Sequence, residues 1–159
     1  LRQAVFAQRV ASPELTVDMD EPPAGLSLLC DDRMVGQALA NILKNAAEAV
    51  SARGLPPKEG RIAAALVRDQ AGLSFRIEDN GVGLPSRDRD RLTEPYVTTR
   101  EKGTGLGLAI VKRILEDHGG ELVLADAGTL PGARVCLNFP TARSTAAPVT
   151  AKKETAHGG

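Results

Sequence analysis

The chain has 159 residues, room for one ordinary domain, and 42% of them are hydrophobic, enough to build a core. Twenty basic residues balance twenty acidic ones, so the electrostatic attraction that drives phosphate-backbone binding is missing and no nucleic acid is expected as a partner. No apolar run nears the roughly 18 to 20 residues of a membrane-spanning helix, no signal-peptide pattern opens the chain, and Cys30, Cys136 and two histidines make no metal or redox spacing; the expectation is a soluble domain in a reducing, cytosolic setting.

Residues 1–14 are weakly helical, with Val5 and Phe6 as anchors, and enter mid-pattern, which reads as the end of a linker from a domain outside this fragment. In residues 15–20, Leu15, Val17 and Met19 alternate with Thr16, Asp18 and Asp20, the period of a half-buried edge strand, and Pro22-Pro23 stops it. Residues 31–53 carry the strongest helical signal, because Met34, Val35, Ala38, Leu39, Ile42, Leu43, Ala46, Ala49 and Val50 recur at three- and four-residue steps. Asp31 or Asp32 caps this helix and Gly54 with Pro56-Pro57 ends it. Residues 61–68 and 73–79 read as a hairpin turning at Asp69-Gln70-Ala71-Gly72.

Residues 80–104 follow without periodic apolar spacing, and a loop that long inside a compact domain is usually either functional or an element that has been misassigned. Residues 105–118 form a second helix ended by Gly119-Gly120, and 122–125 with 133–139 make a last strand pair. About five strands and two or three helices, without strict alternation, predict an α+β two-layer sandwich: a mixed, mainly antiparallel sheet under helices. Residues 15–140 are its body. Residues 141–159 hold one valine as their only large apolar residue and read as a disordered tail.

Three features carry chemistry. In the long helix Gln37, Asn41, Asn45 and Glu48 form a polar file beside the apolar stripe. This is either a solvated face or, since asparagine is a poor mid-helix residue, a set of amide oxygens suited to a hard cation such as Mg²⁺. In the hairpin's second strand Asp79 shares parity with Leu73, Phe75 and Ile77, so its carboxylate faces the core; it either caps the following turn or meets a donor such as a purine's exocyclic amine. Gly103-Thr104-Gly105-Leu106-Gly107 runs into the second helix as a phosphate seat, although it is neither a Walker loop nor a dinucleotide fingerprint.

Together these residues resemble a known family. The run from Asn41 through Asn45 to Glu48 is similar to an N box, 78–84 (EDNGVGL) to a G1 box, 94–99 (EPYVTT) to an F box and 103–107 (GTGLG) to a G2 box. In this order they resemble the ATP-binding catalytic domain of two-component sensor histidine kinases in the GHKL superfamily, with wording similar to nitrogen-regulation kinases of the NtrY and NtrB type. The resemblance implies a Bergerat-type fold, ATP and Mg²⁺ as cofactors, Asn45 as the metal ligand with Asn41 beside it, and Asp79 on the adenine amine. It implies that Gly81 and Gly83 pass close to the base and that Gly103, Thr104, Gly105, Leu106 and Gly107 cradle phosphates. By the same resemblance Thr98, Thr99, Arg100 and Lys102 would fall in a mobile ATP lid, Lys102 being a phosphate contact or a solvated loop lysine, and Tyr96 would anchor that lid on the domain.

Two departures stand out: Glu48 where some members carry a lysine, and no acceptor-type histidine, since His118 precedes Gly119-Gly120 and His157 lies in the tail. The resemblance therefore implies a protein-histidine kinase domain that has no acceptor of its own. Its partners would be the dimerisation and histidine-phosphotransfer domain of the same protein and a response regulator. The parent would be a homodimer with this domain on the cytoplasmic side; its anchoring in an inner membrane is left open. The competing readings are a GHKL ATPase or serine kinase and a nucleotide-gated interaction module. The ATPases and serine kinases use a carboxylate where this chain has Asn41, and an amide cannot take a proton.

Overall fold

Cap chemistry and apolar periodicity place the helices. The computed structural model describes residues 1–97 and 105–140, and the backbone alone of Ser144–Ala146. The first helix, α1 (Arg2–Ala11), buries Val5 and Gln8, whereas Phe6 is exposed; of the two expected anchors only Val5 serves. The long helix, α2 (Asp32–Arg53), starts where the Asp31 carboxylate accepts from the Arg33 and Met34 N–H groups, both at 3.0 Å. It ends at Gly54, whose φ of 70° only glycine adopts without strain. Of its periodic stripe Val35, Ala38, Leu39, Ile42, Leu43, Ala46 and Val50 are buried, while Met34 and Ala49 are half-buried, and burying each Leu or Ile there contributes about 1.5–3 kcal/mol. The last helix, α3 (Gly107–Asp117), buries Val111, Ile114 and Leu115 and is stopped by Gly119 at φ +68°.

The strands are β1 (Thr16–Met19), β2 (Leu26–Leu28), β3 (Arg61–Arg68), β4 (Gly72–Asp79), β5 (Glu121–Asp126), β6 (Ala133–Pro140) and β7 (Ser144–Ala146). Five of them form a sheet in the order β1-β3-β4-β6-β5, with β1 parallel to β3 and every other pairing antiparallel. Mixed pairing and helices on one face make the predicted α+β sandwich. Alternation decides the faces: Val17, Ile62, Ala64, Phe75, Ile77, Leu137 and Phe139 pack with the helices as one core. Phe75 and Phe139 meet edge to face at 5.9 Å. The β3–β4 turn is held by the Asp69 carboxylate, which accepts from the Ala71 and Gly72 N–H groups at 2.8 and 3.1 Å.

The structure adds elements that the periodicity does not announce. β2 and β7 pair antiparallel as a separate two-stranded sheet, so three residues inside the stretch read as a tail run as a strand. Residues 141–143 and 147–159 lie outside the described residues. The long loop contains a 3-10 turn at Arg89–Thr93, tied back by Arg89, which donates to the Pro85 carbonyl and to Asp126, both at 2.8 Å. Among the described residues no helix is long and apolar enough to cross a membrane.

Candidate nucleotide-binding site

The centre of the site is the C-terminal end of β4, the middle strand. Asp79 closes that strand on the helix-facing side, as its parity predicts, and is only 4% exposed. Its Oδ1 accepts from the Gly81 N–H at 2.9 Å and from the Ala133 N–H at 3.3 Å, so backbone donors hold a buried carboxylate in a fixed orientation. The turn into β6 presses on it. A Cβ on Gly132 would collide with the Asp79 carbonyl and carboxylate oxygens.

Asn80 turns away from the site. Its Oδ1 accepts from Arg61 N–H at 2.8 Å, its Nδ2 donates to the Glu59 carbonyl at 2.9 Å, and its own carbonyl accepts from Arg53 at 2.7 Å. It joins the loop to β3 and α2, a role that a sequence reading centred on Asp79 does not find. Gly81 is required by the helix itself: a Cβ there would stand 2.6 Å from the Ala49 carbonyl oxygen and the Val50 nitrogen. Its expected close passage to a base is thus accompanied by a close passage to α2. Gly83 holds φ +79°, the left-handed region that glycine favours, with Gly132 opposite.

Asn41 and Asn45 lie half-buried on α2, one turn apart. A Cβ on Gly107 would sit 3.8 and 3.9 Å from the two terminal atoms of the Asn45 amide, so the start of α3 meets the asparagine file directly. Unlike α2, α3 begins at a residue that has no capping oxygen, Leu106, and carries no acidic residue in its first turn. Such an N-terminus offers N–H groups to an anion. Gly105, at φ +72°, lies against the Tyr96-Val97 backbone, and its carbonyl accepts from the Tyr96 N–H at 3.0 Å. Tyr96 itself is 79% exposed at φ +65°, so its backbone and not its ring joins this segment to the domain. Thr98, Thr99, Arg100, Lys102, Gly103 and Thr104 lie outside the described residues.

On the opposite face of β4, Glu78 is 9% exposed and holds three donors: Arg134 Nε at 2.6 Å, Thr129 Oγ1 at 2.7 Å and Thr129 N–H at 3.2 Å. Burial opposes ionisation, but the Thr129 hydroxyl, the Arg134 guanidinium and the backbone N–H groups of Thr129 and Gly128 outweigh it and hold the carboxyl down at about 2. Sequence parity puts Glu78 off the core but does not reveal these partners.

His118 is 5% exposed. Its Nδ1 donates to the Ile114 carbonyl at 2.7 Å and its Nε2 accepts from the Asp31 N–H at 3.0 Å, the neutral tautomer that one donor and one acceptor require. It ties the end of α3 to the start of α2 and is enclosed there. Among the described residues no three His, Cys, Asp or Glu gather as metal ligands. Two concavities, of about 220 Å³ beside Val50 and Gly60 and about 390 Å³ between α3 and β5, are not lined by Asp79 or Asn45. Chemistry, rather than volume, identifies the site.

The chain is also similar to known proteins. The sequence pattern of the family described as "Histidine kinase-, DNA gyrase B-, and HSP90-like ATPase" matches residues 30–143. The chain is 50% identical over 95% of its length to the nitrogen regulation protein NtrY of Azorhizobium caulinodans, and 33% identical over 79% to a putative sensor histidine kinase NtrY-like of Rickettsia conorii. It spans about a fifth of the length of these curated relatives. Among solved structures it is similar to the mycobacterial sensor histidine kinase MprB, with a TM-score of 0.74 at 26% identity over 87% of this chain and 91% of that one. It is also similar to full-length ShkA in complex with AMPPNP, with a TM-score of 0.71 at 27% identity over 93% of this chain and 30% of that one. With four ordered boxes, a matching sheet and these relatives, the chain belongs to the histidine kinase-, DNA gyrase B- and HSP90-like ATPase family, as a catalytic ATP-binding domain of the sensor histidine kinase type.

Proposed function

We propose that this domain binds Mg-ATP between α2, the loop after β4 and the start of α3, and presents the γ-phosphoryl group to a histidine on a dimerisation domain of its parent protein, for onward transfer to a response regulator. The observation that carries the reading is the buried Asp79 carboxylate, oriented by the Gly81 and Ala133 N–H groups where a base amine would need an acceptor. Asn45 would ligate Mg²⁺ with Asn41 beside it, Gly83 would border the base, and the Gly107 N–H at the start of α3 would donate to a phosphate oxygen. Thr98, Thr99, Lys102, Gly103 and Thr104 complete the proposed phosphate contacts from sequence alone.

Catalysis would come from positioning and charge neutralisation, with the acceptor imidazole as the nucleophile. Asn41 supports transfer over hydrolysis, since an amide cannot act as a general base toward water. Calorimetry tests the site. Asp79→Asn sets a donor against the adenine amine and should weaken ATP binding by about 1–3 kcal/mol; Asn45→Ala should weaken Mg-ATP far more than metal-free ATP. Unchanged ATP affinity in the first variant, or equal losses with and without Mg²⁺ in the second, would reject the assigned roles. Label transferred from radiolabelled ATP to a supplied dimerisation domain tests the reaction.

A further inference from the structure

The residues next to Asp79 hold a single turn from both faces of the sheet. The turn runs from Ala127 to Gly132 and is closed by the Ala127 N–H donating to the Gly132 carbonyl at 3.0 Å. On the helix-facing side its end rests on Asp79, through the Ala133 N–H and the side-chain-free Gly132. On the other side Glu78 takes the Thr129 hydroxyl and N–H at the tip and Arg134, its own register partner on β6, at 2.6 Å. Consecutive residues of one strand point to opposite faces, so Glu78 and Asp79 grip the same turn from its two sides.

From this geometry we infer that Glu78 is a positioning residue for the nucleotide base: through Thr129 and Arg134 it sets the turn whose Gly132 and Ala133 orient the Asp79 carboxylate. The inference rests on the reading of Asp79 as the adenine contact. Gly132 must lack a side chain because the turn is drawn onto the carboxylate, and the Ala133 N–H reaches Oδ1 at 3.3 Å only while the turn stays there. Thr129 is exposed, so changing it alters the clamp without opening the core.

The test is a double-mutant cycle in ATP calorimetry, with amide hydrogen exchange in the nucleotide-free chain as a second readout. Thr129→Val should weaken ATP binding about fivefold to tenfold, the size of one ordinary hydrogen bond and so part of what the lost contact to Glu78 is worth to the turn, and Thr129→Ser should restore it. In the Asp79→Asn background the same Thr129→Val change should cost little more, because the group it positions is already altered. The Ala133 amide should exchange faster in Thr129→Val than in the wild type. Equal losses in both backgrounds, wild-type ATP affinity in Thr129→Val, or unchanged Ala133 exchange would overturn the proposal and leave the nucleotide reading intact. Wild-type ATP affinity in Asp79→Asn itself would overturn both.

Discussion

Removing the charge of Glu78 should make the stability of this domain less dependent on acid. The carboxyl ionises at about 2 in the folded chain against an ordinary 4.5, because the Thr129 and Arg134 donors outweigh the cost of its burial. A folded-state value below the unfolded one means that the unfolded chain takes up the proton first as pH falls. The stabilisation is therefore complete above 4.5 and is lost as pH drops from there toward 2. Its size at neutral pH is roughly 3 kcal/mol, and about 2 kcal/mol of that should be gone by pH 3. Glu78→Gln retains an acceptor for Thr129 but has no charge for Arg134, so it should be the less stable protein at pH 7 and should approach the wild type at pH 3. Urea unfolding of both proteins, followed by far-ultraviolet circular dichroism at the two pH values, measures the gap. A gap that stays constant between them would refute the reasoning, since the loss would then come from shape and not from ionisation.

Asp31→Ala removes the acceptor at the start of α2 and should lower stability by about 1 kcal/mol, read as a reduced unfolding midpoint in urea. His118→Phe leaves the Asp31 N–H without its partner and takes from the Ile114 carbonyl one of two donors, the residue-118 backbone N–H remaining, and should cost about 1–3 kcal/mol; a thermal midpoint equal to the wild type would contradict the two bonds assigned to the ring. Incubated with radiolabelled ATP and no partner, the chain should stay unlabelled, because His118 is enclosed; acid-labile label on His118 would refute that prediction.

Where hydrophobic period and cap chemistry agree, the chain is legible without coordinates. The extent of α2 and its Gly54 stop, the β3–β4 hairpin and the inward parity of Asp79 follow from spacing and cap chemistry, because a helix repeats every 3.6 residues and a strand every two, while the structure chose Asp31 over Asp32 as the cap. The identity of the boxes was also readable, since each is a short contiguous word. What period cannot express is partnership between distant segments. That Gly132 and Ala133 press on Asp79, that Glu78 holds Thr129 from the other face, that Asn45 meets Gly107 and that His118 reaches Asp31 depend on which strands pair and how α2 lies beside α3. β2 and β7 were hidden for the same reason: each is three residues long, too short for alternation to register, and each is a strand only because the other lies beside it. Local sequence determines which way a residue faces, and the fold alone decides what it faces.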